Sequence, residues 1–170
     1  MKITFRLAVA LVAAACAIPA LAAGNTATGN LAVSATVKAS CSVATGNALS
    51  FGTYDPSAPV VTITSAIAFK CTKSTSWEVT LSKGGSPGLG ASGTRAMVNA
   101  GNTEYLGYDL FIDGGATKVW GDTAGGGNTV SGSGIPAGPG GTIPVTGVIP
   151  VGQYVTPQAY SDTVVITVNY

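Results

Sequence analysis

Apolar and polar positions alternate along most of this chain. Val164, Ile166, Val168 and Tyr170 interleave with Val165, Thr167 and Asn169, the period-two pattern of a strand with one buried face. Leu31, Val33, Ala35 and Val37 interleave in the same way with Ala32, Ser34 and Thr36. Together with residues 31–40 and 160–170, the stretches 60–71, 76–82, 94–98, 104–113, 118–120 and 142–150 share this period or are rich in β-branched residues, and each predicts a strand. Turn-formers separate them: Gly46-Asn47, Asp55-Pro56, the 83–88 run, residues 99–102, Asp113-Gly114-Gly115 and a glycine-rich tract over 121–141. Outside the first residues no window repeats apolar positions at helical spacing over three turns. Many short strands broken by frequent turns predict a β-sandwich in one domain, with no internal repeat and no linker.

Two features refine this picture. Pro144 and Pro150 bracket the apolar run 143–149, and proline cannot donate to a ladder, so an edge strand or a strand changing sheets is expected there. The strand at the end of the chain has no polar tail to cap it, and an apolar strand left at an edge invites pairing with another chain. Alternating strands near both ends of the domain therefore suggest assembly by strand exchange.

Lys2 and Arg6, an apolar stretch over 7–18 and Ala20-Leu21-Ala22 have the form of a secretory signal. Residues 1–22 are expected to be removed, leaving a domain at 23–170. The apolar stretch is too short to span a bilayer of about 30 Å, so no stable membrane insertion is expected. Cys16 raises lipidation as an alternative, but the large aliphatic residue expected three places before it is missing. Beyond the signal, Lys38, Lys70, Lys73, Lys83, Arg95 and Lys118 face Asp55, Glu78, Glu104, Asp109, Asp113, Asp122 and Asp162. This near-neutral balance offers no footprint for nucleic acid. Cys41 and Cys71 are an even pair in an exported chain and read as a disulfide.

Catalytic chemistry finds little support. The chain has no histidine, which removes the Ser-His-Asp and Cys-His routes to an activated nucleophile and the commonest metal ligand. Asp109 and Asp113 lie four apart on one expected strand. They fit either a glycosidase carboxylate pair or acids at a strand end and turn. The glycine runs match neither a phosphate loop nor a dinucleotide fingerprint. No enzyme, cofactor or metal is expected. Trp77 alternates within a strand and reads as core or a shielded edge residue. Trp120 fits a buried aromatic closing the sandwich, or a sugar-stacking residue beside the 121–141 loop. That second option gives the alternative function, a secreted monomeric carbohydrate-binding adhesin.

Several short motifs stand in a fixed order: Cys41 after an alternating run, Leu49-Ser-Phe-Gly-Thr-Tyr54, Phe69-Lys-Cys71, Leu81-Ser-Lys-Gly84, Arg95-Ala-Met97, Tyr108-Asp-Leu-Phe111, Val119-Trp-Gly-Asp122 and the closing 160–170 stretch. Together they resemble the spore coat protein U domain family, which includes subunits of archaic, Csu-type chaperone–usher pili. The resemblance implies an all-β fold, an incomplete immunoglobulin-like β-sandwich completed by donor-strand complementation. It implies a structural subunit that polymerises by donor-strand exchange into a surface pilus supporting adhesion and biofilm formation. The implied partners are a periplasmic chaperone, an outer-membrane usher and other pilus subunits, and the implied location is the cell surface, reached through the periplasm. By the same resemblance residues 23–37 are the donor extension, with Leu31, Val33, Ala35 and Val37 as knobs. Val164, Ile166, Val168 and Tyr170 form a chaperone-facing lip of the acceptor groove, the terminal carboxylate being an anchor for basic groups of the chaperone. Cys41 and Cys71 match the family's disulfide. The segment before Leu31 is polar and lacks large knobs, and no extra domain is present as in tip adhesins, so a rod or adaptor subunit is the form implied.

Overall fold

A computed structural model describes residues 24–44, 48–125, 128–136 and 141–170. The expected signal segment, the Gly46-Asn47 turn and the tract positions 126–127 and 137–140 lie outside the described residues. The chain forms two units, residues 1–35 and 36–170. Within the first unit, residues 24–35 are exposed and contain no strand.

The second unit is all-β, and no helix occurs among its described residues. Its strands are β1 (Cys41–Val43), β2 (Val61–Cys71), β3 (Ser76–Leu81), β4 (Arg95–Asn99), β5 (Tyr105–Phe111), β6 (Val130–Ser133), β7 (Thr142–Ile149), β8 (Tyr160–Ser161) and β9 (Ile166–Asn169). One sheet has the order β1-β2-β7-β5-β4-β8 and the other β6-β3-β9. Every pairing between them is antiparallel. The sheets face each other across Phe69, Trp77, Val79, Leu110, Trp120 and Val145, which form one cluster. Phe69 meets the Trp77 ring edge-to-face at a centroid distance of 4.8 Å, a favoured aromatic geometry. Cys41 and Cys71 stand opposite each other in the β1–β2 ladder and are joined by a disulfide.

Several expectations are corrected. No strand forms within 31–40; alternation supplies an apolar face, but a strand also needs a ladder partner for its backbone. The run 143–149 is not an edge, because β7 lies between β2 and β5. Its proline is tolerated because the β5 ladder stops at Thr146, leaving exposed Pro144 beside β2 alone. Residues 118–120 make only an isolated bridge from Val119 to Phe111. The 160–170 run is two strands, with β8 pairing β4 in one sheet and β9 pairing β3 in the other. β6 was not anticipated; its Val-Ser-Gly-Ser sequence has no apolar period, and its place is fixed by the β3 ladder. Gly132 in β6 leaves room for the Trp77 indole, since a Cβ there would stand 2.5 Å from Cζ2.

Candidate functional site

The change of sheet between β8 and β9 opens the sandwich on one side. A cleft of about 1140 Å³ lies there, with residues 48–54 along one lip and 153–166 along the other. Its apolar floor includes Ile67, Leu81, Leu106, Leu110, Val145 and Ile149. β9, at the cleft's margin, pairs with β3 on one side only.

The first lip is positioned by aromatic anchors. Phe51 packs edge-on against Tyr108 at 5.8 Å. The Tyr54 hydroxyl donates to the Pro150 carbonyl at 3.0 Å and accepts the Gln153 N–H at 2.9 Å. Gly147 in β7 accommodates this lip, because a Cβ there would lie 2.8 Å from Phe51 Cζ and 2.9 Å from Leu49 Cδ2. Buried Gln153 acts as a surrogate strand residue. Its amide oxygen accepts the Gly107 N–H at 2.7 Å and its NH₂ donates to the Gly107 carbonyl at 2.8 Å, so β5 keeps its backbone groups satisfied beneath the cleft.

The second lip is tied down by Asp162 and Ser82. Asp162 accepts the Tyr108 hydroxyl at 2.7 Å and the Gly85 N–H at 2.8 Å. Burial, followed by this hydrogen bond and charge, pushes the Tyr108 phenol far above its ordinary value. Gly84 sits at φ +79°, and any Cβ there would overlap the Asp162 carboxylate; only glycine suits the position. Ser82 donates its N–H to the Val165 carbonyl at 3.0 Å and accepts the Val165 N–H on Oγ at 2.8 Å. Near the 156–160 segment Glu104 accepts the Thr156 N–H and the Tyr160 hydroxyl, each at 2.9 Å.

Arg95 is the polar residue the sequence reading did not single out structurally. It is 1% exposed. From β4 its Nε donates to Ser82 O at 2.9 Å, and Nη2 donates to Leu81 O at 3.1 Å and Trp120 O at 2.9 Å. Arg95 thus braces one sheet against the end of β3 in the other, beside the cleft. Burial lowers its pKa, opposed by Tyr108, Asp109, Asp122 and Asp162. A lone arginine among Ala96, Met97 and Val98 was the available signal.

The expected site residues divide. Val164 and Ile166 line the cleft. Val168 packs against the core without lining it, and Tyr170 is exposed. Leu31, Val33, Ala35 and Val37 are exposed and outside any strand.

The expected chemistry also changes. Trp120 is 1% exposed and its indole N–H donates to Val79 O at 3.0 Å, so it offers no ring face to a sugar; the adhesin alternative loses the residue on which it stood. Asp113 lies beyond the end of β5, where it accepts from Thr117 and Lys118 within a turn. Asp109 instead accepts both the N–H and the hydroxyl of Thr94. Asp113 anchors a turn, and Asp109, within β5, anchors the residue that enters β4. Among the described residues no group of three His, Cys, Asp or Glu could hold a metal ion.

Protein U of Myxococcus xanthus is 38% identical to this chain over 177 aligned positions, covering 96% of this chain and 97% of its own length. Among solved structures, the chain resembles the chaperone–tip adhesion subunit pre-assembly complex CsuC–CsuE, from the archaic chaperone–usher Csu pili of Acinetobacter baumannii. The TM-score is 0.56 at 23% identity, over 79% of this chain and 41% of that one. The chain therefore spans under half of that solved chain, and the likeness is one of fold, an immunoglobulin-like β-sandwich. The Spore Coat Protein U domain model matches residues 27–167, and the chain belongs to that family.

Proposed function

We propose that this chain is a structural subunit of a chaperone–usher surface pilus, polymerising by donor-strand exchange and supporting adhesion and biofilm formation. One observation carries the reading: an apolar cleft whose second lip runs into Ile166, the first residue of the edge strand β9, in a chain whose residues 31–37 alternate without forming a strand. A segment laid along β9 extends that sheet and buries its knobs against Ile67, Leu106 and Leu110, a case of β-augmentation. Leu31, Val33, Ala35 and Val37 are the donor knobs. Val164 and Ile166 are the groove wall, with Val168 behind it and Tyr170 at its end. Before assembly a periplasmic chaperone covers the cleft; at an outer-membrane usher the extension of another subunit replaces it. Residues 1–22 direct export, and the mature subunit 23–170 reaches the cell surface. The work of the chain is mechanical, with no catalytic step.

The test is deletion of residues 23–37. The truncated domain should capture a synthetic 24–40 peptide yet fail to take internal positions in fibres. Internal incorporation of the truncated chain would overturn the proposal. Cells making only this variant should lose pili and surface attachment together.

A further inference from the structure

The two lips of the cleft are fastened unequally. The second is tied at several points, by Glu104 at Thr156 and Tyr160, by Asp162 at Gly85 and Tyr108, and by Ser82 at Val165. The first has no such ties along its middle. No backbone N–H or C=O of residues 49–53 has a hydrogen-bond partner among the described residues. Leu49 and Phe51 hold it by packing over Gly147, and a polar contact secures each end. At one end Ala48 O accepts the Ser65 hydroxyl at 2.8 Å. At the other stands the Tyr54 hydroxyl, which accepts the Gln153 N–H at 2.9 Å. Among the described residues this is the only hydrogen bond between 48–54 and 153–166. Its far side is rigid, because Gln153 is 3% exposed and its amide is locked on both backbone groups of Gly107.

We infer that the Tyr54–Gln153 contact is a clasp that holds the first lip in place before a strand arrives, which makes Tyr54 a positioning residue for strand capture. The inference rests on the donor-strand reading and deepens it. Gly52, at φ +72° with no atom within 4 Å of a would-be Cβ, is the permissive point at which an unfastened lip swings. A swinging lip must be ordered during capture, at a cost in conformational entropy; a lip fastened beforehand avoids that cost. Only chains with the lip in place accept a strand at once, so the apparent affinity scales with their fraction. Once seated, the strand itself covers Leu49 and Phe51 and holds the lip, so the clasp acts on association. Beyond the lip the Gly152 N–H donates to Pro56 O at 3.1 Å, so loss of the clasp frees the lip without detaching the chain that follows it.

The test measures association and dissociation of a fluorescent 24–40 peptide on the exported chain, with urea midpoints alongside. Tyr54→Phe keeps the ring and removes the hydroxyl, and with it the bonds to Pro150 O and from Gln153 N–H. Its association rate should fall by roughly fivefold, the worth of a modest hydrogen bond, with dissociation changed by less than about twofold. Gly147→Ala presses on the same lip from the floor, its Cβ 2.8 Å from Phe51 Cζ, and should slow association too. Thr117→Val loses a hydroxyl bond to Asp113 in a turn outside the cleft; it should lower the urea midpoint and leave capture unchanged. Association of Tyr54→Phe at or above the parental rate overturns the clasp, as does a deficit seen only in dissociation or shared by Thr117→Val. If Tyr54→Phe does not fold, Gly147→Ala decides, and capture at the parental rate refutes the inference. No uptake of peptide by the unsubstituted chain refutes the donor reading itself, and the clasp with it.

Discussion

Side-chain alternation along residues 31–37, the proposed donor segment, makes a quantitative demand. Leu31 is 87% exposed and Val33 85%, so nearly all their apolar area is available for burial. Seating in the cleft puts residues 31, 33, 35 and 37 on one face of an added strand and Ser34 and Thr36 on the other. Leu31→Ala removes three carbons. At about 0.8 kcal/mol per buried methylene the loss is about 2.4 kcal/mol, or roughly fiftyfold in Kd. Val33→Ala removes two carbons, about 1.6 kcal/mol and roughly fifteenfold. If only half of the Leu31 side chain is buried, its factor is still about sevenfold. Ser34→Ala removes no apolar area and should change affinity by less than about twofold. The assay is titration of the 24–40 peptide series against the 23–37 deletion variant, by calorimetry or fluorescence. A Ser34→Ala loss matching that of Leu31→Ala, or a flat series, would refute the reasoning, because the segment would then bind without presenting one face.

Arg95→Met keeps the bulk but strips donors from the carbonyls of Leu81, Ser82 and Trp120; urea unfolding should show a loss of about 3–5 kcal/mol, and a loss under about 1 kcal/mol would mean that Arg95 is not a brace. Replacing Cys41 and Cys71 by serine opens a loop with a sequence separation of 30 and should cost about 3.6 kcal/mol on loop entropy, read as a lowered urea midpoint with an m-value raised by the more expanded unfolded chain. Glu104 is held below the ordinary glutamate value by hydrogen bonds from Thr156 and then Tyr160. Its contribution is therefore complete above the unfolded value of about pH 4.3 and is lost as pH falls through the lower folded value. Glu104→Gln should accordingly be less stable than the parent at pH 7 and converge with it in acid; a pH-independent gap would show that the charge is not what holds the 156–160 segment.

How far the fold was legible depends on what each residue needed. Where period-two alternation ran unbroken, as in β2, β3, β5 and β7, the burial of one face set the strand and its inward side, because a one-residue slip would turn that face outward. Family membership and the pairing of Cys41 with Cys71 were likewise readable, from motif order and from the two cysteines that follow the expected signal segment. β6 escaped because hydrogen bonding to β3, and not side-chain burial, defines it. Arg95 escaped because nothing local tells a solvated arginine from one whose guanidinium collects three carbonyls from other segments.

The sequence by itself determined the all-β class, the main strands and an alternating apolar run at 31–37, since alternation of apolar and polar side chains is a local property. Tertiary structure alone decided that β7 is central, that Trp120 faces inward and that the 160–170 run divides between two sheets. That division produces the cleft. It depends on which ladder each half meets, β4 or β3, and pairing between distant segments leaves no mark in the residues of one of them.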